Sequence, residues 1–107
     1  MIKLLQIVPR KGVNLYGLIV RKEIELAQKN RGTFYRAGPK EKDRAKWAHL
    51  KYRGWVKIRR SESGVVTAEI RSKGPGGNNS QIFEAFVGWI DRHFGDKVHC
   101  MNVQYWQ

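Results

Sequence analysis

The sequence predicts a single α+β domain spanning residues 1–107, a mainly antiparallel sheet with two helices packed on one face, in the order β-α-β-β-β-α-β. Three observations carry this expectation. Between Trp47 and Lys73 apolar and polar residues alternate at period two, the pattern of a strand with one buried face. Around residues 13–29 and 80–94 apolar residues instead recur at steps of three and four, as on a helix with one buried stripe. The chain has 107 residues, 41% hydrophobic and 11% aromatic, which suits one core of ordinary size and argues against disorder despite a formal charge of +12. An antiparallel sheet with helices on one side leaves its other face to solvent.

Residues 2–8 read as a strand ended by Pro9, which cannot donate to a ladder. Tyr16, Val20, Ile24 and Ala27 then mark a helix over residues 13–29, with Asn14 or Gly12 to cap its start and Asn30-Arg31-Gly32 to stop it. Residues 33–36 (Thr-Phe-Tyr-Arg) are β-branched and aromatic and read as a short strand. Residues 38–46 are polar and begin with Gly-Pro, the signature of a surface loop.

A hairpin follows. Leu50, Tyr52, Gly54, Val56 and Ile58 form one face of its first strand, and Trp47, His49, Lys51, Arg53, Trp55, Lys57 and Arg59 the other. Residues 61–64 (Ser-Glu-Ser-Gly) turn the chain, and Val66, Ala68 and Ile70 continue the apolar side. Pairing Ile58 with Val66 and Val56 with Ala68 keeps the apolar sides together. That register sets Trp55 against Glu69, Arg53 against Arg71 and Lys51 against Lys73. Residues 74–78 form a Gly-rich connection, and Asn79 or Ser80 caps a second helix whose broad stripe runs from Ile82 to Phe94. Gly95 suits a left-handed stop to that helix. Residues 98–106 read as a final strand at or near a sheet edge.

Charge is the functional clue. Residues 31–60 hold eleven Lys or Arg against Glu41 and Asp43, net +9, whereas residues 61–107 are net −1. Such asymmetry concentrates polyanions at one part of the surface. Trp47 and Trp55 in the same block offer rings on which bases stack, worth ~1–3 kcal/mol per base. The expected reading is a non-catalytic module that binds DNA or RNA, single strands preferred. Lys51, Arg53, Lys57, Arg59, Arg71 and Lys73 would meet phosphates, Trp47 and Trp55 would stack, and Lys40, Lys42, Arg44 and Lys46 would form a mobile arm.

Two alternatives use the same residues. A homodimeric interaction module could present the positive face to an acidic protein, with the apolar helix 80–94 or the Tyr105-Trp106 end at the subunit contact. A ribonuclease-like toxin could use His49 as acid or base, although no paired-carboxylate or nucleophile motif supports it. Residues 74–77 lack the Gly-Lys-Ser/Thr of a phosphate loop. Cys100 is the one cysteine, so there is neither an intrachain disulfide nor a Cys cluster for zinc. No cofactor, metal or membrane partner is expected, and residues 1–8 are too short and mixed for a secretory signal, so the expected setting is cytoplasmic.

On residues 32–36, the strand at 47–58, residues 86–96 and residues 103–106, the chain resembles small uncharacterised bacterial proteins carried on mobile integron gene cassettes. The resemblance covers most of the chain after Gly32 and implies a bacterial, cytoplasmic protein. It brings no catalytic or binding residues with it.

Overall fold

The strand β1 (Ile2–Pro9) lies between two others, because its odd residues Leu5 and Ile7 are wholly buried while its backbone is paired on both sides. A computed structural model describes residues 2–39, 41–72 and 80–106 of the chain. After β1 come α1 (Leu15–Gln28), β2 (Phe34–Arg36), β3 (Arg44–His49), β4 (Gly54–Arg60), β5 (Val66–Ser72), α2 (Ser80–Phe94), a 3-10 turn (Gly95–Lys97) and β6 (Val98–Trp106). The six strands form one antiparallel sheet in the order β2-β3-β4-β5-β1-β6. Both helices pack on the same face. Ile19 and Val20 of α1, and Ile82, Phe86 and Ile90 of α2, share one core with Leu5, Ile7, Trp47, Val56, Ile58 and Ile70 of the sheet. The α+β class and the one-sided helical layer are as the periodicities require.

The helix ends follow local chemistry. The Asn14 side chain accepts the N–H of Gly17, satisfying one orphan donor of the first turn. At the other end Asn30 takes φ +56° and Arg31 N–H bonds to Leu26 O, which closes the helix. Gly95, by contrast, does not adopt a left-handed conformation, and α2 runs directly into the 3-10 turn.

Between the helices the chain makes four strands where the sequence pattern suggests three. The alternation from Trp47 to Arg59 is interrupted at residues 50–53, so it belongs to two strands, β3 and β4, folded against each other. The break also changes parity. In β3 the odd residues Ala45 and Trp47 point to the core, and in β4 the even residues Val56 and Ile58 do. Gly54 permits the re-entry into β4 at φ +130°, and a Cβ there would collide with the carbonyl oxygen of Arg71. Residues 38–46 are accordingly not all loop, since β3 begins at Arg44.

The β4–β5 hairpin forms with its apolar parity intact but two residues out of the expected register. Ile58 faces Ala68 and Val56 faces Ile70. The turn decides this. A three-residue hairpin loop places its left-handed residue last, and Gly64 at φ +89° is that residue. The loop is therefore 62–64, with Gly64 N–H bonded to Ser61 O and Ser61 N–H bonded to Val65 O. Trp55 then opposes Arg71 and Lys57 opposes Glu69. Arg71 therefore does not face Arg53, while the expected Lys51–Lys73 pairing falls on Lys73, which lies outside the described residues, as do Lys40 and residues 74–79.

Among the described residues two charged side chains enter the core layer. Glu23 of α1, 6% exposed, accepts from the Trp47 indole N–H at 3.0 Å and from Arg36 Nε at 3.2 Å. Lys3 of β1, 9% exposed, places its ammonium 4.6 Å from the Phe83 ring centre and 5.6 Å from that of Tyr105.

Two stability changes are expected. Gly54→Ala forces a left-handed alanine against backbone and lowers the unfolding free energy by more than about 2 kcal/mol, read as a shift of the urea midpoint. Glu23→Ala leaves the buried indole N–H and the Arg36 guanidinium without their shared acceptor and costs about 3 kcal/mol. Urea denaturation of Glu23→Ala beside Glu23→Gln, which keeps an acceptor oxygen, separates loss of the hydrogen bond from loss of charge.

Candidate nucleic-acid interface

The face of the sheet opposite the helices is where the basic residues converge. The register across β3 and β4 sets Arg44 directly against Arg59 and Lys46 directly against Lys57. Directly opposed side chains on one face have Cβ atoms about 5 Å apart. Two like-charged pairs in succession are therefore built into the exposed surface. Among the described residues Lys46, Lys57, Arg59 and Arg71 make no ion pair, and Arg44 pairs only with Glu41 of the preceding loop.

Trp55 sits at the next step along β4, half-buried on this same face. Three cations from three adjacent strands lie over or beside its ring: Lys57 at 4.5 Å, Arg71 at 5.3 Å and Lys46 at 5.4 Å from the centroid. The ring's negative face holds the cations near one another and offsets part of their repulsion. A groove of about 420 Å³ runs beside this cluster. Leu4, Thr67 and Glu69 line it from the sheet, Arg44, Lys46, Lys57 and Arg59 line its basic side, and Pro39 and Glu41 bound it from the loop before β3.

That loop is fastened at several points. Tyr16 Oη of α1 donates to Glu41 O at 3.0 Å, Glu41 N–H bonds to Arg44 O, and Arg60 N–H bonds to Asp43 O. Burial, and then the charge of Asp43, push the Tyr16 phenol above its ordinary pKa, so it stays a hydrogen-bond donor across the working pH range. Arg44 and Lys46 are thus strand residues on the groove rather than members of a mobile arm.

The other expected site residues divide by position. Trp55, Lys57, Arg59 and Arg71 lie together on the outer face. Lys51 and Arg53 are exposed on the connection between β3 and β4, at the end of the sheet. Trp47 is on the other side altogether. It is 1% exposed, hydrogen-bonded to Glu23 and 6.4 Å from Trp89 between ring centres, so it offers no face to a base. The parity change at residues 50–53 is the reason. Sequence reasoning gave Arg44 and Lys46 to a mobile arm, and the structure sets them on the groove instead. The alternation Arg44-Ala45-Lys46-Trp47-Ala48, read as a strand, is the signal that finds them there.

His49 shares the inner side with Trp47. Its ring packs edge-on against Phe34 at 4.8 Å and stacks on Tyr52 at 4.7 Å. Its Nδ1 accepts the backbone N–H groups of both Lys51 and Tyr52, at 3.0 and 3.2 Å. An acceptor Nδ1 carries no proton, so the neutral Nε2–H tautomer closes the turn. His49 is therefore away from the cationic face on which an acid–base role would need it. Among the described residues no cluster of His, Cys, Asp and Glu is suited to hold a metal ion, and no helix is long and apolar enough to cross a membrane.

No protein-family model matches the chain, and neither does any curated protein or solved structure. The site's chemistry is accordingly read from its own residues.

Desolvation, and then the Lys51 charge, hold the His49 pKa below its ordinary value of 6.5. Desolvation lowers His93 likewise, beside Lys22 and Arg92. A histidine depressed in the folded state binds its proton more readily when unfolded. Its contribution to stability is complete above pH 6.5 and is lost as the pH falls from there toward the folded pKa. The urea midpoint is expected to drop over that acidic window, and His49→Asn to flatten the drop. Imidazole proton shifts followed by NMR should place the His49 midpoint below 6.5.

Proposed function

We propose that this protein binds single-stranded nucleic acid along the outer face of its sheet, with Arg44, Lys46, Lys57, Arg59 and Arg71 on phosphates and Trp55 as a stacking platform. The observation that carries this reading is the direct opposition of Arg44 with Arg59 and Lys46 with Lys57 beside an open groove. Like charges directly opposed destabilise a free sheet. A polyanion lying between them converts that repulsion into paired attraction and releases counterions.

The platform favours single strands. A base can stack on an indole only when it is free of its own duplex partners. The three cations around Trp55 are then placed to follow the phosphates on either side of the stacked base. Lys51 and Arg53, at the end of the sheet, extend the positive surface beyond the groove. A cytoplasmic setting, which the single cysteine favours, gives the protein access to both RNA and DNA.

Fluorescence anisotropy with labelled single-stranded RNA, single-stranded DNA and duplex DNA tests the proposal. For about five phosphate contacts on a single strand, log affinity falls against log salt with a slope near −3.5. The Lys46→Ala/Lys57→Ala variant is expected to flatten the slope by roughly 1.4, and Trp55→Ala to weaken single strands while leaving duplex binding unchanged. Absence of binding at low salt, where the electrostatic attraction is strongest, overturns the reading.

A further inference from the structure

We infer that Glu69 recognises a guanine base in the bound strand, an inference that rests on the nucleic-acid reading above. Glu69 lies on β5 at the border of the cationic cluster, opposite Lys57 on one side and Leu4 on the other, and lines the groove. It is half-buried, yet among the described residues its carboxylate makes no hydrogen bond and no ion pair within 4.0 Å, not even with Lys57 across the ladder. The other groove carboxylate, Glu41, is engaged by Arg44. Glu69 is thus an unused acceptor pair set among cations that await phosphate.

A carboxylate repels phosphate, so it marks the part of the groove where the backbone of the strand does not lie. What lies there must present hydrogen-bond donors. Guanine is the one base whose Watson–Crick edge offers two adjacent donors, N1–H and the N2 amino group, matching the two oxygens of a carboxylate. Adenine and cytosine each set their amino group beside a ring nitrogen whose lone pair would face the second oxygen. Uracil flanks its one N–H with two carbonyls. These edges are free only in single strands. Leu4 and Pro39 supply apolar surface for the flat ring, and Lys57 and Lys46 stand within the same groove for the adjoining phosphates. If Glu69 served only to neutralise Lys57 across the strands, it would confer no preference among bases.

The test is anisotropy on the full chain with three short labelled oligouridines: one unmodified, one with a central guanosine, one with a central inosine, which lacks the N2 amino group. The guanosine oligomer is expected to bind about tenfold tighter than oligouridine, in the range of a bidentate base contact, with inosine between them. In Glu69→Gln, checked for its fold by circular dichroism, the guanosine advantage disappears while affinity for oligouridine holds or rises. Equal binding of the guanosine and uridine oligomers by the unaltered protein overturns the inference and leaves the cationic-face reading standing. So does a guanosine preference that survives in the inosine oligomer or in Glu69→Gln. Failure of all three oligomers to bind overturns both.

Discussion

The reversal at residues 50–53 is the constraint on which the site depends. It folds β4 back on β3, and it does so with a change of parity, so that successive apolar residues on odd and then even positions reach the same core. The turn is held from three directions. His49 Nδ1 takes two backbone N–H groups, Leu50 N–H reaches back to Thr33 O beside β2, and Gly54 accepts a backbone conformation closed to other residues. Without that reversal Trp47 would share a face with Trp55. With it, Trp47 fills the core, and the alternate side chains that precede it in β3, Arg44 and Lys46, are carried beside Arg59 and Lys57.

The buried end of the same arrangement is Glu23. A carboxylate in the core layer is costly unless its oxygens are paired. Here the partners come from two different strands, the Trp47 indole from β3 and the Arg36 guanidinium from β2, so one side chain of α1 fixes the helix against both. The group that pins α1 is therefore the group that keeps Trp47 turned inward. Lys3 plays a softer version of this part between β1, α2 and β6, where two aromatic rings receive its ammonium.

Against that anchored inner layer, the outer face carries repulsion between directly opposed basic side chains. The protein tolerates it through devices that cost no pairing of the basic groups: an indole beneath three of them, and a carboxylate across the ladder from Lys57 but out of ion-pair reach. Such a surface is stable when empty and more stable when an anion occupies it, because any ligand that binds only the folded state shifts the folding equilibrium in its favour. On the proposed reading, binding and folding of this sheet would be linked through the same basic side chains.

What the sequence by itself determined is the material of the fold: two amphipathic helices, an antiparallel sheet with one apolar side, an edge strand at residues 98–106 and an excess of positive charge in residues 31–60. These are set by local periodicity and composition, which need no knowledge of neighbours. Tertiary structure decided which residues face which. A strand of alternating charged and apolar residues at 44–48 resembles a solvated loop until a second strand pairs with it, and an unbroken alternation through residues 50–53 hides the turn within it. The hairpin register depended on the single left-handed residue in its loop, Gly64, rather than on the matching of apolar partners, which a shift of two residues preserves equally well. Trp47 was read as a surface ring for the same reason. Period two says that neighbours point opposite ways, but only packing against Glu23 and Trp89 says which way is in.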